Sequence, residues 1–291
     1  MEALIIFMIF SLLSSVVLNY HWLILFRFVV DLAVGADYAI LPTYLIEFVP
    51  DKTRGYHLGY VWLAWSVGAA LNFALGAVLV TTLPAQLSWR ILFAIAIIPA
   101  GFGLLLRQQL PKSPRWLYYG SATNTAHPTS QSQSLGQAWC LSLIPWFLMD
   151  FSTYGLGLLL PVLLKSTGLS STAGAILGTG LAALCGGFGS LWAMRHLDST
   201  GRIVLQVRGF LLSRLGLWLL AVLLWMAFTL FVALLGGLLV VNLFNSTGPG
   251  TTTGIIPAEI FPTPMRATAL GVATAVSRFG AVAGRVCIGV H

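Results

Sequence analysis

The chain has 291 residues, of which 58% are hydrophobic and only 8% charged, with a mean hydropathy of +0.90. A soluble domain carries roughly 25% charged residues, so these residues cannot cover a water-exposed surface, and lipid must be the solvent. The formal net charge of +7 does not point to nucleic acid, because the lysines and arginines flank apolar runs, as the positive-inside rule places them.

Unsatisfied backbone groups are too costly in lipid, so long continuous apolar runs must be helices, each needing about 20 residues. The pattern predicts nine, at 3–18, 22–49, 56–80, 89–106, 137–164, 172–194, 204–224, 229–257 and 268–289. The fold class is therefore all-α and membrane-embedded, and the chain is a multi-pass membrane protein in contact with the bilayer. The first run lacks a basic leader and a small-residue cleavage pattern, so it reads as a span, not a signal peptide. The second carries Arg27 and Asp31, spaced to pair across one helical turn. It also holds Asp37 and Tyr38, and it ends at Glu47-Phe48-Val49-Pro50, before Arg54.

The third and fourth runs complete a first helical bundle of four spans over 1–119. Residues 120–136 are rich in Ser, Thr, Gln and Asn and read as a linker on the cytoplasmic side. A second bundle of five spans covers 137–291. Its third and fourth spans are poorly separated, because little besides Gln206, Arg208, Arg214 and a few hydroxyls interrupts the run from Ile203 to Asn245. The basic connections at Asp51–Arg54, Arg107–Arg115, Arg195–Arg202 and Arg266 alternate with weakly charged ones. That alternation puts the basic loops, and Met1, on the cytoplasmic side.

The two halves share a signal. Glu47-x-x-Pro50-x-x-x-Arg54 in the first half matches Glu259-x-x-Pro262-x-x-x-Arg266 in the second. Proline stops each helix, and each glutamate is placed to pair with its arginine at the membrane edge as a gating or interface pair. Asp198-Ser199-Thr200-Gly201-Arg202 lies two spans before the second motif. Parallel repeats of this kind characterise the halves of one class of transporter. The register corresponds to spans three to eleven of a twelve-span parent, with spans one, two and twelve outside the chain.

The chemistry is concentrated in few residues. Asp37 and Asp150 fall close to the middle of their spans, where a charge costs about 2.5–3.5 kcal/mol on insertion scales. Each is a candidate to take up a proton on one side and release it on the other. Trp146, Asp150 and Tyr154 are spaced four apart, so they form one stripe of a helix. An indole N–H and a phenol flanking a carboxyl suit a polar small-molecule substrate. Asp37 and Asp150 belong to different halves, which predicts that they face a shared midplane site. The three cysteines and five histidines are scattered, with no spacing for a disulfide or a metal. No cofactor is indicated. Motifs such as H-E-x-x-H and G-x-S-x-G are missing, which argues against an enzyme.

These motifs resemble the major facilitator superfamily over essentially the whole chain. Pro111-Lys112-Ser113-Pro114-Arg115-Trp116-Leu117 is similar to the segment that follows the sixth helix of sugar-porter-like members, and Asp198–Arg202 to their D-x-x-G-R loop. Gly35-Ala36-Asp37-Tyr38, Trp146–Asp150 with Tyr154-Gly155, and Gly248-Pro249-Gly250-Thr251-Thr252-Thr253 through Glu259 resemble the phosphate:proton symporters. The resemblance implies proton-coupled symport of phosphate or a similar small anion. It assigns proton transfer to Asp37 and Asp150, and anion contacts to Tyr38, Trp146 and Tyr154. Trp65 and Gly250 stand where that family has a glutamine and an asparagine, and Asn245 is placed to substitute for the latter. The alternatives are a carrier of a sugar, organic acid or other metabolite, or a truncated product without transport activity.

Overall fold

A computed structural model describes residues 1–111, 132–166, 171–226 and 231–289. Its helices are α1 (Glu2–Val16), α2 (Tyr20–Phe48), α3 (Arg54–Thr82), α4 (Ala85–Ile95), α5 (Ile97–Gln108), α6 (Ser132–Ser166), α7 (Thr172–Thr200), α8 (Arg202–Trp225), α9 (Phe231–Thr247), α10 (Pro249–Thr252), α11 (Ile255–Ile260) and α12 (Thr263–Gly289). A single 3₁₀ turn at Asp51–Thr53 joins α2 to α3. Residues 112–131, which include most of the proline-rich segment after α5 and most of the expected linker, lie outside the described residues. The end of that linker is helical, because α6 begins at Ser132.

Two expected spans are broken. The run predicted at 89–106 is α4 followed by α5, interrupted at Ala96. Pro99 explains the break, since it has no N–H to offer the carbonyl one turn earlier. The run predicted at 229–257 is divided into α9, α10 and α11 around Gly248-Pro249 and Gly254. Inside lipid the carbonyls at the break need partners; the Thr252 and Thr253 amides donate to those of Gly248 (3.0 Å) and Pro249 (3.1 Å), and neighbouring hydroxyls add further bonds. Thr251 Oγ1 donates to the Ser246 carbonyl (2.6 Å), Thr252 Oγ1 to Gly248 (2.9 Å) and Thr253 Oγ1 to Pro249 (2.8 Å). With the broken helices counted as single spans, the described residues form nine spans.

The surface is inverted relative to a soluble protein. Phe28, Leu71, Phe102, Phe188, Trp218 and Phe279 are all more than 60% exposed, and such a continuous apolar surface is a lipid-facing one. The interior is rich in small and hydroxylated residues, including Ser66, Ser142, Ser190, Thr274 and Ser277, each at most 3% exposed. Most of these hydroxyls donate back to carbonyls of their own helix, as Ser142 does to Ala138 and Thr274 to Leu270 (2.8 Å each). Small residues let helices approach closely where apolar burial offers no drive for association.

Within the first half, α1 packs on α2, α4 and α5; within the second, α6 packs on α12, and α9 on α7 and α8. The seam between halves is made by α3 along α7 and by α2 against α12. Arg90 ties α4 to the end of α1 by donating to the carbonyls of Ser15 (3.2 Å) and Val17 (2.9 Å), a cation at a helix C-terminus. Its neighbour Arg27 lies over the Phe93 ring, 4.8 Å from the centroid. The expected pairing of Arg27 with Asp31 is not formed, because the aromatic face of α4 is within reach of the guanidinium.

The α6–α12 contact is set by Gly280 and Gly284, whose hydrogens point at the carbonyl oxygens of Phe147 and Phe151. A Cβ at Gly284 would sit 2.1 Å from the Phe151 oxygen, while one at Gly236 meets nothing within 4 Å. Overpacking of this kind costs about 1–3 kcal/mol. Gly284→Ala is therefore expected to lower the thermal unfolding midpoint of the detergent-solubilised chain, and Gly236→Ala to leave it unchanged or raise it.

Candidate substrate site at the seam

A charged clasp closes one end of the seam. The first amides of α3 have no intrahelical acceptor, and Asp198, near the end of α7, supplies one. The Gly55 N–H donates to Asp198 Oδ1 (2.9 Å) and the Tyr56 N–H to Oδ2 (3.0 Å). A carboxylate at a helix N-terminus is also favoured by the helix dipole. Arg202 then joins Asp198 (2.8 Å) to Glu259, whose two oxygens accept from its Nη2 (2.9 Å) and Nε (2.8 Å). The turn between α7 and α8 is made by Gly201 at φ +91°, a conformation that favours glycine.

The clasp revises the partners expected from the repeat. Arg54 bonds Asp51, not Glu47. Glu259 is held by Arg202, and Arg266 Nε donates to the Phe261 carbonyl (3.2 Å). Sequence spacing places Glu259 and Arg266 near each other along the chain. The break at Phe261-Pro262 turns the helix between them, and α8 presents a closer cation. Asp198→Ala is expected to speed hydrogen exchange at the Gly55 and Tyr56 amides. An unchanged rate there would mean the clasp does not hold the helix end.

Away from the clasp, both halves contribute to one pocket of about 90 Å³. Its floor is aromatic: Tyr38 of α2 stacks on Trp62 of α3 (centroids 5.9 Å), and Trp62 meets Trp146 of α6 edge to face (6.3 Å). Gly254 gives the Trp62 ring its space, since a Cβ there would lie 2.1 Å from Trp62 Cζ2. Trp146 is 3% exposed and Asp150 is 2% exposed. Asp150, Tyr154 and Asn245 line the same pocket, as the stripe on α6 predicts. Asn245 Nδ2 donates to Thr153 Oγ1 at 3.4 Å.

The residue that organises this pocket is Arg278 of α12, which the sequence reading did not single out. Its Nη1 donates to the Tyr154 hydroxyl (2.6 Å), and its guanidinium lies 5.6 Å from the Tyr38 ring centroid and 5.5 Å from that of Tyr154. The same Nη1 is 3.5 Å from Asp150 Oδ2. That is an ion pair but a long one, and this carboxylate oxygen makes no hydrogen bond. The arginine is committed to the phenol, and the buried acid is left with an open acceptor. A signal was available: α12 carries Arg278 and Arg285 in an apolar run with no acid on the same helix.

Asp37 does not share this chamber. Its two oxygens accept from Arg107 Nη1 (2.6 Å) and Nη2 (2.7 Å), and it faces a separate apolar cavity of about 510 Å³ between α1, α2, α3 and α4–α5. Asp37 and Tyr38 are consecutive on α2, so they point about 100° apart. Tyr38 takes the position toward the pocket, and Asp37 is left to face Arg107. The expectation that the two aspartates meet across the seam is therefore corrected.

With this geometry in place, the comparisons are direct. The family model described as "Sugar (and other) transporter" matches residues 1–137 and 142–290. The chain belongs to that family. Members of the sugar (and other) transporter family are membrane carriers, not enzymes. The chain is 31% identical over 290 residues to the inner membrane metabolite transport protein YgcS of Escherichia coli, covering 88% of this chain and 61% of that one. It is 26% identical over 326 residues to inorganic phosphate transporter 1-2 of Oryza sativa subsp. japonica, covering 89% and 61%. The chain thus spans about three-fifths of the length of these relatives. Among solved structures, the proton:xylose symporter XylE, bound to 6-bromo-6-deoxy-D-glucose, superposes with a TM-score of 0.80 at 21% identity, covering 98% of this chain and 70% of that one. The all-helical major facilitator fold follows, in part of its full extent.

Proposed function

We propose that the chain carries the site of a proton-coupled symporter for phosphate or a similar small anion. The observation that carries this reading is Arg278, held among Tyr38, Tyr154 and Asp150 with one acid oxygen unsatisfied. With Asp150 ionised the pocket is close to neutral, and the arginine faces an internal counter-ion. Protonation of Asp150 removes that counter-ion, and the site then carries one positive charge and attracts an anion. In a site of low dielectric this coupling is strong, so proton and anion bind together and leave together. Asn245, Tyr38, Tyr154 and the Trp146 indole supply the remaining polar contacts. A volume of about 90 Å³ exceeds the roughly 10–15 Å³ needed for one water and suits a compact ion. Asp37, in its bidentate pair with Arg107, serves as a structural ion pair within this mechanism.

The basic loops support placing the clasp of Asp198, Arg202 and Glu259 at the cytoplasmic face, with Met1 on the same side. In this reading the clasp must part for release into the cell. Glu47, Arg54 and Arg266 flank the same end and belong to the gate.

A second reading, a carrier of a sugar or another uncharged metabolite, is favoured by the stacked floor of Tyr38, Trp62 and Trp146, a surface suited to an apolar ring face. Reconstitution of the full chain in liposomes with an inward proton gradient separates the two. Labelled phosphate is expected to accumulate, with kcat/KM lowered roughly 10–100-fold in Arg278→Gln, the range set by a charge-assisted bond of about 1.5–3 kcal/mol. Asp150→Asn is expected to bind phosphate but no longer respond to the gradient. Wild-type uptake no greater than that of protein-free liposomes would defeat the proposal. Xylose uptake insensitive to Arg278→Gln would favour the uncharged substrate.

A further inference from the structure

Beside the central pocket lies a larger cavity of about 790 Å³, extending away from the clasp between α3, α6, α7, α8, α9 and α12. It shares Trp65, Thr153, Tyr154 and Asn245 with the central pocket, so one space leads into the other. Among the described residues two arginines line it, Arg214 of α8 and Arg285 of α12, and no aspartate or glutamate does. Among the described residues neither arginine has a carboxylate within ion-pair distance. Arg214 Nη2 donates to Ser152 Oγ (2.8 Å) and the guanidinium lies 5.5 Å from the Phe210 ring centroid. Arg285 lies 5.1 Å from the ring centroid of Tyr154, the residue whose hydroxyl is held by Arg278.

Unpaired cations inside membrane spans need an explanation. Long side chains near helix ends reach the interface by snorkelling, and that is open to Arg285, which lies close to the end of α12. It is not open to Arg214. Twelve residues separate it from Arg202 and eleven from Trp225, the two ends of α8, so it is about 16–18 Å from either end. A guanidinium has five N–H donors, and the neutral Ser152 hydroxyl accepts from one of its nitrogens. The side chain instead lines the cavity, as does that of Arg285. Three arginines thus surround the two connected spaces against the single carboxylate of Asp150.

We infer that the larger cavity is a second anion site, an antechamber that collects the anion on Arg214 and Arg285 and passes it along Tyr154 to Arg278. Asn242, Asn245, Ser152 and Thr153 supply neutral polar groups along the way. The ligand class is a small oxyanion or carboxylate. The inference rests on the anion reading of the central pocket for its destination, but not for its charge, which Arg214 and Arg285 supply themselves.

Equilibrium binding of inorganic phosphate, sulfate and benzoate to the purified full chain tests it. Two classes of site are expected for at least one of these probes. The double variant Arg214→Gln with Arg285→Gln is expected to weaken one class by at least tenfold and leave the class that depends on Arg278. Arg214→Lys with Arg285→Lys is expected to keep both, and thermal unfolding of each variant checks that it folds. A single class in the wild type, or two classes unaffected by the double Gln variant, would overturn the antechamber. A class lost with the double variant while Arg278→Gln changes nothing would uphold the antechamber and defeat the central reading. Absence of binding by all three probes would defeat both.

Discussion

A charged side chain inside the bilayer must be answered by another charge, a polar network or a ligand, and this constraint arranges the centre of the molecule. Asp150 is buried to 2% exposure at the middle of α6. Its cation comes from α12, the helix that packs most closely on α6, where Gly280 and Gly284 bring the two backbones together. Close packing and charge neutralisation are thus one requirement. Arg278 reaches Tyr154, Tyr38 and Asp150 at once. The long Asp150 contact and the short Tyr154 bond then leave the acid partly unsatisfied.

The backbone follows the same logic. Where the chain bends beside the pocket, at Gly248-Pro249 and Gly254, the Thr251 hydroxyl takes up the Ser246 carbonyl, while the hydroxyls of Thr252 and Thr253 reinforce the Gly248 and Pro249 carbonyls that backbone amides already reach. The absence of a side chain at Gly254 leaves room for Trp62, and Trp62 carries both Tyr38 and Trp146. The aromatic floor spans the two halves because Trp62 contacts Tyr38 on one side and Trp146 on the other.

How much of this was legible in the residues depends on how local each feature is. The spans, the lipid-facing surface and the stripe of Trp146, Asp150 and Tyr154 depend on composition and on spacing within one helix, and the structure reproduces them. Partner choice is not local. Glu259 with Arg266 looked like a pair along the chain, yet Arg202 of another helix is nearer. Asp37 looked equivalent to Asp150 by depth, but its neighbour Tyr38 already occupies the face toward the pocket, and one face of a helix cannot present both. Arg278 belongs to the site through partners on other helices, which spacing along α12 does not reveal. An arginine deep in an apolar run demands a partner as firmly as an aspartate does, and the search for that partner leads to the pocket.

The grip of Asp198 on α3 has a consequence for how the protein tolerates variation. Asp198 recognises main-chain N–H groups, not side chains. Residue identity at Tyr56 is therefore invisible to the contact. At Gly55 the limitation is purely one of size, since a Cβ would fall 2.7 Å from Asp198 Oδ1. Drift in the amino acids that open α3 should be broad at one position and nearly forbidden at its neighbour, although both donate equivalent bonds to the same carboxylate.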